Sequence, residues 1–197
     1  MHGKENYKIL QKDTNTAARA GILTTAHGEI ETPVFMPVGT AGAVKGITPF
    51  HLKETGATII LANTYHLFLR PGVDAIEKIG GIHKFMAWEG PILTDSGGYQ
   101  VFSLSPLVKI DEEGVAFASH IDGAKFYLNA EITTQAQNRL GVDIAMCFDQ
   151  CTAFGAAPDE VVKAVDRSIR WAQRCKELHA NPNQLLINEA NLPALAG

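Results

Sequence analysis

Two carboxylates stand where chemistry would be expected. Asp95 follows the apolar run Pro91-Ile-Leu-Thr94 and leads into Ser96-Gly97-Gly98-Tyr99-Gln100, and Asp149 follows Ile144-Ala-Met-Cys-Phe148. Short apolar runs of this kind suit strands buried on both faces, and in parallel α/β folds ligands bind at the carboxyl ends of such strands. An aspartate after a strand is also a common cap for the following turn or helix. Around Asp95, two glycines allow a backbone to pass close to a flat ligand, Ser96 and Gln100 offer polar groups, and Tyr99 offers a stacking face. These residue types suit a planar heterocycle. Asp149 could accept the two adjacent donors of a guanine edge, N1–H and the exocyclic amine. Its plainer alternative is a salt bridge to Arg139 or Arg167.

The elements that would position these residues follow from apolar spacing and turn residues. Residues 7–38 contain β-branched and apolar positions around Ala26-His27-Gly28, a hairpin turn. Thr48 as N-cap and Pro49 at the first helical position open a helix ending near Gly56. Residues 57–62 and 91–94 read as buried strands, with a helix over 72–79 between them, stopped by Gly80-Gly81. Residues 108–128 alternate in short pieces, an antiparallel insertion. A helix over 129–140, closed by Gly141, precedes a strand over 144–148. A last helix starts at Pro158, with Val161, Val165, Ile169 and Ala172 as its expected buried face. Strands alternating with helices predict an α/β fold with a parallel sheet, either doubly wound or a (β/α) barrel. The absence of G-x-G-x-x-G weakens a dinucleotide fold, and a whole barrel takes about 250 residues. The 197 residues here would hold little more than half of one.

Composition sets outer bounds. At 46% hydrophobic and 19% charged residues the chain reads as globular. No signal-peptide pattern or apolar run of membrane-spanning length is present, so the cytoplasm is the expected location. The net charge of −4 offers no general attraction for nucleic acid. The mild basic cluster Arg167, Arg170, Arg174 and Lys176 lies on one helix and reads as a solvated face. Cys147, Cys151 and Cys175 are odd in number and lack zinc-finger spacing, so they read as buried or half-buried free thiols, with no metal site.

Several segments together resemble the tRNA-guanine transglycosylase (queuine tRNA-ribosyltransferase) family, in order: Thr32-Pro-Val-Phe-Met-Pro-Val-Gly-Thr40, Val44-Lys-Gly-Ile-Thr-Pro49, Asn63-Thr-Tyr-His-Leu67, Leu69-Arg-Pro-Gly72, Gly90 through Leu104, and Phe148-Asp-Gln-Cys-Thr152. The resemblance implies a (β/α)8 TIM-type barrel, of which residues 1–184 would supply about the first half, with an N-terminal β hairpin and the antiparallel insertion. It implies exchange of guanine at the tRNA wobble position for a 7-deazaguanine, in queuosine biosynthesis, through a covalent enzyme–ribose intermediate. By the same resemblance Asp95 is the general acid/base and contacts the base. Ser96, Gly97 and Gly98 line the base pocket, Tyr99 stacks on the base, Asp149 reads its donor edge and Cys151 lies beside it. His66 sits in a family-like motif and serves the fold or the substrate; the other six histidines read as surface or structural.

Residues 185–197 read as a divergent tail. The aspartate nucleophile of the resembled family and its Cys-x-Cys-x-x-Cys plus His zinc site have no counterpart in this sequence, so zinc is expected only in full-length members. This chain alone is expected to lack exchange activity. The expected partners are tRNA, the guanine or deazaguanine base, and a second subunit, as a homodimer or with a homologous chain; no membrane is involved. The alternative is a non-catalytic accessory subunit or base-binding module pairing with a full-length relative. An unrelated metal hydrolase would need a His-x-His or comparable ligand set, and none is present.

Overall fold

The computed structural model describes residues 6–104 and 108–181. The expected hairpin is part of a three-stranded antiparallel meander, β1 (Tyr7–Lys12), β2 (Arg19–Thr25) and β3 (Gly28–Thr32). Thr25 pairs with Gly28 across the two-residue turn Ala26-His27. Gly28 has φ +132°, a value L-residues rarely adopt.

Helix α1 (Pro49–Glu54) starts as expected, with Thr48 Oγ1 accepting the His51 N–H. The parallel layer then follows: β4 (Ile60–Asn63), helices α2 (Thr64–Leu69), α3 (Val73–Ile79) and α4 (Ile82–Met86), β5 (Ile92–Asp95) and α5 (Gly98–Leu104). The insertion is β6 (Val108–Ile110), β7 (Val115–Ala118) and β8 (Lys125–Leu128), antiparallel throughout. Helix α6 (Ala130–Leu140) is capped by Asn129 and closed by Gly141 at φ +74°, β9 (Ile144–Ala145) is the third parallel strand, and α7 (Pro158–Ala180) ends the described chain.

The parallel sheet runs β4-β5-β9, and Val38 forms an isolated parallel bridge to Leu61 on the other side of β4. Among the described residues these strands form an open sheet and not a closed barrel. Two cores hold it. One packs α1 to α4 and α6 on the sheet through Leu52, Ile60, Ile76, Trp88, Ile92 and Leu140. The other joins the insertion to α6 and α7 through Phe117, Leu128, Ile132, Phe148 and Trp171. The 185–197 tail lies outside the described residues.

Three expectations need correction. Helices α2, α4 and α5 were not foreseen, because each is under eight residues and shows little more than one period of apolar spacing. The strand expected over 144–148 pairs only at Ile144 and Ala145. The buried face of α7 is not the expected one: Val161, Val165 and Ile169 are 39%, 51% and 63% exposed, whereas Ala164, Trp171, Cys175 and Leu178 are buried. Both sets recur at helical spacing. The second wins because it carries the indole that stacks on Phe148, with ring centroids 5.0 Å apart.

Candidate functional site

Asp95 is the last residue of β5, and Asn63, the last of β4, is its register partner. The Asn63 side-chain amide donates to Asp95 Oδ2, as does Gln100 Nε2 at 2.8 Å. Oδ1 accepts the Thr64 N–H at 3.1 Å and the Gly97 N–H at 3.2 Å, and the Thr64 hydroxyl donates to the Asp95 carbonyl. The Gly97 bond shows that the capping reading of Asp95 is part of the truth. Four donors on one half-buried carboxylate hold its rotamer. Gln100 Oε1 is buried without a partner, an open acceptor beside this carboxylate.

Asp149 lies four residues past the end of β9, on a stretch fastened by helix side chains: the Phe148 N–H donates to Cys175 Sγ at 3.4 Å, and the Gln150 N–H to Ser168 Oγ at 2.9 Å. Ser96 brings the two carboxylates into one site, donating to Asp149 Oδ1 at 3.2 Å while accepting the Gly98 N–H at 3.3 Å. Gly98 is required by close approach, since a Cβ there would lie 2.6 Å from the Asp149 carbonyl and 2.9 Å from its Oδ1. Gly97 adopts φ +87° and packs on the Tyr65 backbone. Tyr99, on the first turn of α5, is 62% exposed and leaves a ring face open.

Cys151 Sγ donates to Asp149 Oδ2 at 3.6 Å. Burial, then the Asp149 charge and that bond, push its thiol up to about 11, so it stays a protonated donor and not a nucleophile. Cys175 is buried as expected, but Cys147 is exposed. Clefts of about 460 and 380 Å3 flank the Asp149–Thr152 loop, the larger lined by Phe102, Ile110, Cys151 and Phe154, the smaller by Asp149, Val161, Val165 and Ile169.

The salt-bridge alternative for Asp149 does not hold. Arg139 is engaged by Asp74 and Glu77, and Arg167 by Glu112 and Gln150. The arginines of α7 clasp the insertion and α6: Arg170 pairs with Glu112 of the insertion at 2.6 Å and Arg174 with Glu131 of α6 at 2.6 Å. Arg170, with Arg167, holds Glu112 down to about 2.

His66 is half-buried on α2, with its ring edge-on to Tyr65 and to His120. Burial, then the His120 charge, lower its pKa against a smaller opposing pull from Asp95, which keeps it neutral. Sequence reasoning missed Asn63, Thr64 and Gln100 as holders of Asp95. The signal was available: Asn63-Thr64 ends a predicted strand just as Asp95 does, so the two must meet at one sheet edge.

The zinc that the resemblance implies does not fit the residues present. Among the described residues no cysteine-rich set converges. The one group among the described residues with metal-ligand chemistry is His27, His83 and Asp143, at the opposite ends of the parallel strands. Its imidazoles stack 3.6 Å apart at 19°, so their in-plane lone pairs run side by side instead of converging on one ion.

A family model for queuine tRNA-ribosyltransferase matches residues 13–191. The chain belongs to this family. It is similar to the queuine tRNA-ribosyltransferases of Desulforamulus reducens (55% identical over 180 residues, 91% of this chain and 49% of the relative) and Caldanaerobacter subterraneus subsp. tengcongensis (57% over 178 residues, 90% and 48%). That of Moorella thermoacetica is 52% identical over 192 residues, 96% of this chain and 52% of the relative. The chain spans about half the length of the curated relatives it matches. No helix among the described residues is long and apolar enough to cross a membrane.

Proposed function

We propose that this chain carries the base-recognition part of a tRNA-guanine transglycosylase site, which exchanges a guanine in tRNA for a 7-deazaguanine. The observation that carries the reading is the convergence of Asp95 and Asp149 at the carboxyl ends of neighbouring parallel strands, joined through Ser96. Asp149 accepts the N1–H and amino group of the base. Asp95, supplied by four donors, receives or returns the proton of the ring nitrogen that leaves or joins the ribose. Ser96, Gly97 and Gly98 line the pocket, Tyr99 covers the base, Cys151 supports Asp149, and the open Gln100 Oε1 is a further acceptor for a base donor. Binding the base and moving its proton are what these residues do. The parallel strands with their helices are then the first part of a (β/α)8 barrel, within a domain running to residue 184. The family implies zinc elsewhere in full-length members, tRNA as substrate, a subunit partner and a cytoplasmic setting.

The test is a calorimetric titration of the 197-residue chain with guanine, next to Asp149→Asn and Asp95→Asn. Saturable binding that Asp149→Asn weakens about a hundredfold supports the reading, that loss being the worth of one charge-assisted donor pair. Binding that ignores both substitutions, or no binding, defeats it.

The accessory-subunit reading rests on a different observation. In the described sheet β9 is an edge strand, and α7 exposes Val161, Val165 and Ile169. Co-purification with a longer relative would favour it.

A further inference from the structure

The geometry points to Gln137, on α6, as a positioning residue that sets the spacing of the two carboxylates, an inference that rests on the base-pocket reading above. Gln137 is wholly buried, and so is Thr94, the residue before Asp95. A buried amide is costly unless its hydrogen bonds are made. Here they are. Oε1 accepts the Thr94 hydroxyl at 2.8 Å, and Nε2 donates to the Met146 carbonyl at 3.0 Å and to the Thr133 carbonyl of its own helix at 3.2 Å.

The place of these bonds gives them their meaning. The β5–β9 ladder pairs only Leu93 with Ile144 and Thr94 with Ala145, and the Met146 N–H to the Thr94 carbonyl at 3.1 Å closes it. Past that point the backbone ladder ends, and the two segments run on to Asp95 and Asp149. Three side chains then take over from the ladder: Gln137 on the Met146 carbonyl, Cys175 on the Phe148 N–H and Ser168 on the Gln150 N–H. Cys175 and Ser168 hold the Asp149 segment alone. Gln137 also grips the strand that ends in Asp95, through Thr94. A flat base bridging both carboxylates needs their separation held to a fraction of an ångström, and a stapled pair of strand ends supplies that. An apolar side chain of similar size would fill the same space on α6 but could not make the link.

The measurement is guanine affinity by calorimetry and melting temperature, on the 197-residue chain with Gln137→Met, Thr94→Val and the pair together. Ile76→Val, in the core on α3 and outside this hydrogen-bond network, serves as a stability control. Gln137→Met and Thr94→Val should each weaken guanine binding about tenfold, the cost of one lost buried hydrogen bond. The double variant should be little worse than either single one, because both break one link. Ile76→Val should lower the melting temperature and leave affinity unchanged. If Gln137→Met and Thr94→Val lower only the melting temperature, Gln137 is an ordinary core residue and the inference fails while the base-pocket reading stands. If the unsubstituted chain does not bind guanine, both fall. Thr94→Val removes the link without touching α6, so a Gln137→Met chain that does not fold leaves the test intact.

Discussion

Gly98 shows how much of the site depends on single atoms. Its missing Cβ makes room for the Asp149 carbonyl and carboxylate, so a methyl group there must push the Asp149 segment away. Gly98→Ala is expected to cost about 2 kcal/mol of stability as an overpacking strain and to abolish guanine binding; calorimetry and thermal unfolding read the two effects separately. Unchanged guanine affinity in that variant would show that Asp149 is not where the base sits. Cys151 makes a contrasting case. Its thiol is held protonated by burial and by Asp149, so it should resist alkylation at pH 8 while the exposed Cys147 reacts, and mass mapping after iodoacetamide would show which cysteine carries the label.

At the scale of elements, the N-terminal meander is tied to the base of the parallel sheet by one carboxylate. The Asp143 side chain is fully buried and accepts from the Ile92 N–H at 2.9 Å, from the His27 N–H at 3.2 Å, from His27 Nδ1 at 2.8 Å and from His83 Nε2 at 3.1 Å. Removing it in Asp143→Ala leaves these donors unpaired and should cost about 3 kcal/mol, measurable by urea unfolding. Burial, then the charge of His27, hold the His83 pKa below 6.5, against a weaker pull from Asp143. The folded state therefore prefers neutral His83. Its contribution is full above pH 6.5 and is lost as pH falls through the lowered folded value. Burial opposes ionisation of Asp143 too, but the His27 bond, the Ile92 N–H and the two imidazoles outweigh it and hold its carboxyl below the usual range. Its contribution is lost at still lower pH, in the same direction. The melting temperature should drop between pH 8 and pH 5, and His83→Gln should flatten that drop. An unsubstituted chain that melts alike at both pH values would count against this latch.

For the whole molecule, the exposed stripe Val161, Val165 and Ile169 on α7 lines a cleft with the Asp149–Thr152 loop, which follows the edge strand β9 of the described sheet. Apolar surface next to an unpaired strand edge promotes association. The 197-residue chain should self-associate with rising concentration in sedimentation velocity. Val165→Glu with Ile169→Glu should shift it toward monomer and change stability by no more than about 0.5 kcal/mol per site, since exposed positions tolerate polar residues. A monomeric unsubstituted chain at high concentration would contradict this.

The sequence by itself determined the elements that carry local signals, the sheet edge that carries Asp95, and the family. Thr48-Pro49, Asn129 and Gly141 mark helix ends through backbone bonds made within a few residues, so α1 and α6 lie where they were read. Asp95 was legible because the apolar run before it forms β5 and leaves it at the strand's end, whereas Asp149 lies four residues past β9 on a stretch held by α7 side chains. Tertiary structure decided what depends on residues distant in the chain. It chose Trp171 and Cys175 over Val161 and Val165 as the buried face of α7, since two stripes of equal period are separated only by what packs against them. It turned the basic cluster into a clasp through Glu112 and Glu131, supplied by other elements. It also placed Gln137 between Thr94 and Met146, 43 and 9 residues away. A glutamine in a helix shows no sign of that link in its own neighbourhood, because its hydrogen-bond partners exist only once the strands have met.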